Sequence, residues 1–309
     1  MNNQDLISVI MSVHNGEKYL KEAIESILFQ TYDHIEFIII NDGSTDSSHS
    51  IISNFKDIDN RIVFVDRPIN KGLPFSLNEA IALSKGRYIA RMDADDIAHE
   101  DRFEKQLNYF KSRPEVDILG GQVALIDSNR DIVKCSDKPL SYSKIRSSAE
   151  FSCPVNHPTY MVKKKIYNKL NGYREYFVYA QDYDFILRAI DAGFIIENTE
   201  DILLSYRSFP NMHSITKRHR QLYLARHALI LHKERVRFGL ESSKTIMKLS
   251  RKSFSAKTLF IFSWKLRQKA LRNKLPKMFY YLLVILPSML HFEVFNASLR
   301  GFLYARSKK

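Results

Sequence analysis

The stretch "ISVIMSVHNGEKYLKEAIESILFQTYDHIEFIIINDGS", residues 7–44, decides the fold. It begins with the β-branched apolar run Ile7–Val13, which is typical of a parallel strand buried on both faces. Apolar residues then recur at helical spacing from Leu20 to Leu28, which predicts a helix with one apolar face. A second apolar run follows at Ile35–Ile40. Strand, helix and strand in this order predict a right-handed crossover between two parallel strands.

The alternation of strand and helix continues along the chain. "HSIISNF" predicts a second helix, with Asp46, Ser47 or Ser48 as its cap. "RIVFVD" predicts a third strand, "PFSLNEAIALSKG" a third helix that ends at Gly86, and "RYIARM" a fourth strand. This pattern indicates an α/β fold with an open, mostly parallel sheet. Farther on, we expect a helix in "DRFEKQLNYFKS", paired strands in "DILGGQVALID" and "DIVKC", a helix at Ala180–Gly193 and a strand in "DILLSYR".

The positive charge is concentrated near the C-terminus. The formal net charge is +13, and residues 211–309 hold 22 Lys and Arg against 3 Asp and Glu, whereas residues 1–210 hold 25 against 31. The strand pattern disappears at about residue 215, and helical segments with mixed apolar and basic residues follow. We therefore expect an α/β domain at 1–215 and a basic helical region at 216–309.

Three interpretations of the basic region remain open. Basic residues beside Phe, Trp and Leu on helices fit binding to an anionic membrane surface. The second interpretation is packing of the helices against the α/β domain. The third is nucleic-acid binding, but no nucleic-acid motif is present, so we expect no such partner. The apolar run Met278–Leu290 is too short to span a membrane, which takes about 20 residues.

Other features narrow the class of protein. The sequence contains no GxGxxG, GxxxxGK[ST] or GxSxG motif, which argues against a nicotinamide dehydrogenase, a P-loop NTPase and a serine hydrolase elbow. "SVHNGEKY" lacks the Gly-rich loop with Arg and Lys that nucleotidyltransferases carry. Cys135 and Cys153 have no metal-type spacing, so we expect free thiols in a reducing compartment. The N-terminus has no signal-peptide pattern, which favours a cytoplasmic location.

Polar clusters follow three predicted strands: "HNGE", "NDGSTD" and "MDADD". Ligands of open parallel sheets bind at the carboxyl ends of the strands, although the first two clusters also fit ordinary turns. Asp93 and Asp95 are two residues apart, which places both carboxylates on one side of an extended chain. Such oxygen ligands suit Mg²⁺ or Mn²⁺, and the alternative is a solvated acidic turn. Asp96 is a weaker candidate, because it is also placed to cap a helix beginning near His99.

Four segments together resemble the inverting glycosyltransferases of family 2, which have the GT-A fold with a Rossmann-like, mostly parallel sheet. They are "SVIMSVHNGEKYLKEAIESILFQTYDHIEFIIINDGSTDSS", "NKGLPFSLNEAIALSKGRYIARMDADD", "HPTYMVKK" and "AQDYDFILR". Each segment is weak alone, but they occur in the family's order and cover roughly residues 6–210. The resemblance implies a nucleotide-sugar-binding and catalytic domain at 1–215.

The resemblance implies roles for the residues that match the family's motifs. Asp182 matches the catalytic base, although the usual Glu-Asp pair is Gln181 and Asp182 here. The alternative for Asp182 is a helix N-cap. Asp95 matches the direct metal ligand, and Asp93 a contact through ribose, water or the metal. His157 matches a position near the acceptor cleft, with a packed, hydrogen-bonded histidine as the alternative.

Further implied contacts surround the nucleotide. Asp42 matches an acid that accepts a hydrogen bond from a pyrimidine base, although Asn41 stands where many relatives have Asp. Arg91 matches a donor contact, with a structural ion pair as the alternative. His213 matches a third metal ligand or a diphosphate contact. The loop that flanks the nucleotide contributes Val13, Asn15 and Glu17.

The resemblance also implies substrates, a cofactor and a location. The donor would be a UDP-hexose or UDP-N-acetylhexosamine, the cofactor Mn²⁺ or Mg²⁺, and the acceptor a saccharide or a lipid-linked saccharide of capsule or O-antigen. The enzyme would lie at the inner face of the cytoplasmic membrane, held there by its basic region. The alternative function is a non-catalytic nucleotide-binding scaffold at the membrane surface. The complete acidic motif and the matched base favour the enzyme.

Overall fold

The computed structural model describes residues 5–207 and 215–241. The chain divides into two units, Met1–Phe209 and Pro210–Lys309. In the described part of the first unit, nine strands form one sheet. They are β1 (Ile7–Val13), β2 (Ile35–Asp42), β3 (Ile62–Arg67), β4 (Tyr88–Asp93), β5 (Ile97–Ala98), β6 (Ile118–Ile126), β7 (Ile132–Cys135), β8 (Met161–Lys163) and β9 (Ile196–Arg207). The helices are α1 (Glu17–Leu28), α2 (Ser48–Ile58), α3 (Leu73–Leu83), α4 (Arg102–Ser112), α5 (Tyr142–Ser148), α6 (Lys164–Leu170) and α7 (Gln181–Asp191).

The order of the strands reverses beside β1, between β1 and β4. β3, β2, β1 and β4 are parallel neighbours in this order. The chain therefore moves outward from β1 to β3 and returns to the other side of β1 as β4. Ligands of open α/β sheets bind at such a reversal, outside the carboxyl ends of the strands. β8 continues the sheet antiparallel to β4, followed by β6, β9 and β5, and β7 pairs with β6.

The predicted apolar face of the first helix is confirmed. α1 buries Leu20, Ala23, Ile24 and Ile27 against the rest of the core. Full burial of one Leu or Ile side chain contributes about 1.5–3 kcal/mol relative to exposure. This face therefore holds α1 on the sheet and fixes where the loop before it lies.

Later elements differ from the predictions in their bounds. The strand pair β6 and β7 is confirmed, and the helix predicted at Ala180–Gly193 forms as α7. The strand predicted in "DILLSYR" is the second half of β9, which begins earlier, at Ile196. β5, β8, α5 and α6 were not predicted, because each is only two to seven residues long and such short segments carry little periodic signal.

The described part of the second unit contains α8, Ile215–Phe238, which confirms the helix predicted in "QLYLARHALILHKERVRF". Its apolar residues are spread around the helix and do not gather on one face, whereas helices that lie on membranes are strongly amphipathic. Within 5–207 and 215–241, no helix is long and apolar enough to cross a membrane. The segment Met278–Leu290 lies outside the described residues, and the domain boundary at 215 stays a prediction.

Gly43 is required by the backbone of the turn after β2. Its φ is +70°, and a Cβ there would lie 2.5 Å from the backbone nitrogen of Asn70. We expect Gly43→Ala to lower the free energy of unfolding by about 2–5 kcal/mol, which combines left-handed strain with a backbone clash. Gly193 is a matched control, because its φ is +78° and a Cβ there meets nothing within 4 Å.

Gly193→Ala should cost only the strain, about 1–2 kcal/mol. Urea unfolding of the full chain measures both changes. Equal losses in the two variants would contradict the argument from the backbone contact.

Candidate active site

The loops after β1 and β2 hold each other through reciprocal hydrogen bonds. The side chain of Asn15 accepts from the N–H of Thr45 at 2.8 Å. The carboxylate of Glu17 accepts from the N–H of Ser47 at 3.0 Å. Asp46 accepts from the N–H of Glu17, also at 3.0 Å. Asn15 and Glu17, two of the predicted nucleotide contacts, therefore use their side chains to shape the loop, and Val13 before them is fully buried.

Asp42 is buried at the end of β2, and most of the acceptor positions of its carboxylate are occupied by protein donors. Its Oδ1 accepts from Arg67 at 3.0 Å and from the N–H of Lys71 at 2.9 Å. Its Oδ2 accepts from the N–H of Gly72 at 2.8 Å. A carboxylate oxygen can accept two hydrogen bonds, so one acceptor position remains on Oδ2. This arrangement is compatible with one hydrogen bond from a nucleotide base.

Asn41, the neighbour of Asp42, is bonded on one side only. Its Nδ2 donates to Asp66 at 2.7 Å. Its buried Oδ1 has no hydrogen-bond partner among the described residues. Leaving a buried acceptor unpaired costs about 1–3 kcal/mol, so this atom could accept from a bound ligand.

The acidic cluster lies directly after β4. Carboxylate oxygens of Asp93, Asp95 and Asp96 lie within 4.8 Å of one another. Arg91 donates from both terminal nitrogens to the two oxygens of Asp93, so of the two alternatives for Arg91 the structure contains the ion pair. A metal ion or a ribose would have to compete with Arg91 for Asp93.

Asp96 does not cap a helix, so that prediction is wrong. The next helix, α4, begins at Arg102 and not near His99. Asp96 is only 1% exposed, and its Oδ1 accepts from the N–H of Arg207 at 3.0 Å. The physical reason is that the end of β9 lies beside the cluster. The other oxygen, Oδ2, is buried and has no hydrogen-bond partner within 5–207 and 215–241.

The acids of this cluster carry more negative charge than their surroundings neutralise. Burial, followed by the charge of Asp93, raises the pKa of Asp95 to about 6. Burial and the charges of Asp93 and Asp95 raise the pKa of Asp96 well above its ordinary value. A divalent cation would relieve this repulsion, and carboxylate oxygens are the ligands that Mg²⁺ and Mn²⁺ prefer. The residues therefore fit a metal ion.

Asp182 stands in the first turn of α7. The N-cap position belongs to Ala180, so the alternative of Asp182 as the helix cap is wrong. Burial raises the pKa of Asp182, against smaller opposing effects of the Tyr183 N–H and of the charges of Arg91 and Lys138. A carboxylate whose pKa is raised toward neutrality is a stronger general base than an ordinary aspartate.

The helix that carries Asp182 is anchored by buried charge. Arg188 pairs with Asp184 at 2.8 Å and donates to the carbonyl oxygens of Leu170 at 2.6 Å and Gly172 at 2.8 Å. Charge-assisted hydrogen bonds of this kind are about twice as strong as neutral ones. They fix α7 to the chain segment after α6 and thereby fix the position of Asp182.

Of the two alternatives for His157, the structure contains the packed, hydrogen-bonded histidine. Its Nε2 and the hydroxyl of Tyr173 are 3.0 Å apart, and the hydroxyls of Tyr173 and Tyr167 are also 3.0 Å apart. Burial, assisted by the charge of Arg91, lowers the pKa of His157 well below its ordinary value. The ring is therefore neutral at pH 7, and it is buried and hydrogen-bonded to Tyr173.

Two buried arginines at the cluster were not predicted. Arg102 is fully buried, its Nη2 donates to the carbonyl of Arg91 at 2.8 Å, and burial lowers its pKa to about 9. Arg207 donates from Nη1 to the carbonyl of Asp95 at 2.7 Å. One sequence signal for Arg207 was that it ends a predicted strand. His213, a predicted metal ligand, lies outside the described residues.

Solved structures with the same fold bind nucleotide sugars. The mannosyltransferase PcManGT of Pyrobaculum calidifontis, in complex with GDP-Man and Mn²⁺, is similar with a TM-score of 0.59 and 17% identity, over 100% of this chain and 87% of that one. TarS 1-349 of S. aureus, in complex with UDP-GlcNAc, is similar with a TM-score of 0.59 and 15% identity, over 97% and 92%. At this identity the likeness establishes the GT-A fold.

Curated relatives are more similar in sequence. An uncharacterised glycosyltransferase of Methanocaldococcus jannaschii is 39% identical over 214 residues, covering 68% of this chain and 72% of the relative. The O-antigen biosynthesis glycosyltransferase WbnJ of Escherichia coli is 36% identical over 206 residues, covering 66% and 80%. The model of the family "Glycosyl transferase family 2" matches residues 8–170, more than half of the chain. The chain therefore belongs to glycosyl transferase family 2 and is a glycosyltransferase with the GT-A fold.

Proposed function

We propose that this glycosyltransferase is a metal-dependent, inverting enzyme that moves a sugar from a nucleotide-sugar donor to a hydroxyl group of a growing surface polysaccharide. The observation that carries the proposal is the acidic cluster after β4, where carboxylate oxygens of Asp93, Asp95 and Asp96 lie within 4.8 Å of one another. The buried guanidinium of Arg91 pairs with Asp93 in this cluster. Burial raises the pKa of Asp182, as suits a general base.

The donor side is assigned to the acidic cluster and the loops after β1 and β2. Asp95 would hold Mn²⁺ or Mg²⁺, and Asp93 would join it once Arg91 releases that carboxylate. His213 stays a predicted third ligand. When bound, the ion neutralises negative charge on the diphosphate leaving group. Asp42, with its remaining acceptor position, would take one hydrogen bond from the base of a uridine nucleotide.

The acceptor side is assigned to Asp182. Its carboxylate would take the proton of the attacking hydroxyl while the hydroxyl oxygen forms a bond to the anomeric carbon. The bond from that carbon to the diphosphate oxygen breaks in the same displacement, so the configuration at the anomeric carbon inverts. The nucleoside diphosphate leaves with the bonding electron pair. His157 is neutral and packed, so we assign it no proton transfer.

The names of relatives support the polysaccharide part of the proposal. WbnJ is named for O-antigen biosynthesis, and a relative from Erwinia amylovora is named for amylovoran biosynthesis. We propose a saccharide or lipid-linked saccharide as acceptor and a location at the inner face of the cytoplasmic membrane.

Thermal unfolding of the full chain with a panel of nucleotide sugars tests the proposal. We expect one or more UDP-sugars to raise Tm by several degrees when Mn²⁺ is present, since a ligand at 100 times its Kd stabilises by about 2.7 kcal/mol. The same compounds with EDTA should leave Tm nearly unchanged. If no nucleotide sugar shifts Tm with either metal ion, the proposed donor class is wrong.

A further inference from the structure

Arg207 connects the acidic cluster to the end of β9. It is 3% exposed, and its main-chain N–H donates to Asp96 Oδ1 at 3.0 Å. Its side-chain Nη1 donates to the carbonyl oxygen of Asp95 at 2.7 Å. One residue therefore binds the cluster at two points, once through the main chain and once through the guanidinium.

Glu22 binds the other terminal nitrogen of the same guanidinium. Glu22 lies on α1, and its carboxylate accepts from Nη2 of Arg207. The ring of Tyr19, one turn earlier on α1, lies 4.4 Å from the centre of that guanidinium. The planar, five-donor fork of arginine can bind two acceptors in a fixed relative geometry, which lysine cannot do.

A second arginine, from the hairpin between β6 and β7, also pairs with Glu22. Arg130, in the turn of that hairpin, donates to the second oxygen of Glu22 at 2.6 Å. Arg130 is exposed, whereas Glu22 is about one-quarter exposed and Arg207 is buried. Two ion pairs, Arg130 with Glu22 and Glu22 with Arg207, thus lead from the surface to the main-chain carbonyl of Asp95.

The cluster needs such support, because three carboxylates within 4.8 Å repel one another. Within the part of the chain that the structure describes, main-chain hydrogen bonds and nearby cations hold these acids together. Arg102 holds the main chain before the cluster, at the carbonyl of Arg91, and Arg207 holds it inside the cluster, at Asp95. Groups that orient metal ligands in this way tune affinity for the ion without touching it.

We propose that Glu22 and Arg207 are positioning residues that hold Asp95 and Asp96 in their metal-binding arrangement before the ion arrives. Neither residue is assigned a contact with the sugar or the reacting atoms. The inference rests on the proposed function, since it concerns the ion that the acidic cluster would bind.

Binding of Mn²⁺ to the full chain, followed by the paramagnetic resonance signal of free Mn²⁺, with and without UDP, tests the inference. Glu22→Gln removes the charge that holds Arg207, and we expect it to weaken Mn²⁺ binding roughly tenfold, the lower end for groups that orient metal ligands. Arg130→Gln breaks only an exposed pair and should weaken binding by less than about fivefold. Arg207→Lys keeps the charge but loses the fork, so its affinity should fall more than that of Arg130→Gln.

Arg87 supplies the matched control. It is exposed and pairs with Asp5 at 3.0 Å, before β4 begins, so Arg87→Gln loses a similar ion pair without altering the cluster. A purely structural role for Glu22 would lower Tm in Glu22→Gln and leave Mn²⁺ affinity equal to that of Arg87→Gln, and this result would overturn the inference. If Glu22→Gln does not fold, Arg207→Lys decides, because an affinity for Mn²⁺ equal to that of Arg130→Gln overturns the inference.

Failure of the proposed metal site gives a different result. If the wild-type chain and Asp95→Ala bind Mn²⁺ equally poorly with and without UDP, the metal assignment falls and this inference falls with it. Mn²⁺ binding that Asp95→Ala abolishes and Glu22→Gln leaves intact overturns the positioning role alone.

Discussion

Asp182→Asn is expected to lower kcat by about 10²–10⁴-fold, the usual contribution of a general base, while Kd for the nucleotide sugar stays within a factor of two or so of the wild-type value. The amide is nearly the same size as the carboxylate but cannot accept the proton of the attacking hydroxyl. Transfer to acceptor and thermal shift with donor measure the two quantities separately. Loss of donor binding, or transfer at the wild-type rate, would exclude the base role.

The pKa of Asp182 gives this variant a second signature. Burial raises the pKa in the folded state, so the folded chain holds the proton more tightly than the unfolded chain does. Keeping the group ionised therefore costs stability above the folded-state pKa, and that cost disappears as the pH falls through it. We expect Asp182→Asn to have a higher Tm than the wild type at pH 7, with a difference that shrinks in acid. The activity of the wild type should decline in acid at a higher pH than an unperturbed aspartate predicts.

Asp95→Ala is expected to reduce kcat/KM by about 10²–10³-fold, because a bound ion supplies several kcal/mol of charge stabilisation at the leaving diphosphate. Added Mn²⁺ should restore little of the lost activity. The Mn²⁺-dependent thermal shift with donor should disappear in the same variant. Asp95 is the informative position in the cluster, because Asp93 is paired with Arg91 and Asp96 is bound by Arg207.

Asp57→Ala is the control for this experiment. Asp57 is an exposed acid near the end of α2, and its loss removes one negative charge without touching the cluster. It should leave both the metal response and the rate unchanged. Wild-type kinetics in Asp95→Ala, or an equal loss in Asp57→Ala, would exclude Asp95 as the ligand that matters.

The first four strands were predictable because parallel strands covered on both faces are almost continuously apolar. β2, for example, is buried at all eight positions, and its first six residues include five apolar ones. β5 and β8 were not predictable, since two or three residues become a strand only through partners distant in the sequence. The same limit applies to β9, whose first half, with Asn198 and Thr199, reads as a polar turn.

The acids of the candidate site were predictable from the sequence, but their hydrogen-bond partners were not. Spacing alone placed Asp93 and Asp95 on one side of the chain, and the three acids do lie together. The role of Asp96 was misjudged, because its partner Arg207 is 111 residues away in the sequence. Arg102 was missed because a helix beginning with Arg gives no sign that the side chain is fully buried.

The reciprocal bonds between the loops after β1 and β2 have a consequence for exchanging segments between relatives. Glu17 accepts from an N–H of the loop after β2, and Asp46 accepts from an N–H of the loop after β1, so each loop supports the other. A graft of one loop alone would leave N–H groups without acceptors at the N-termini of both α1 and α2. A graft would therefore keep these hydrogen bonds only if both loops are transplanted together.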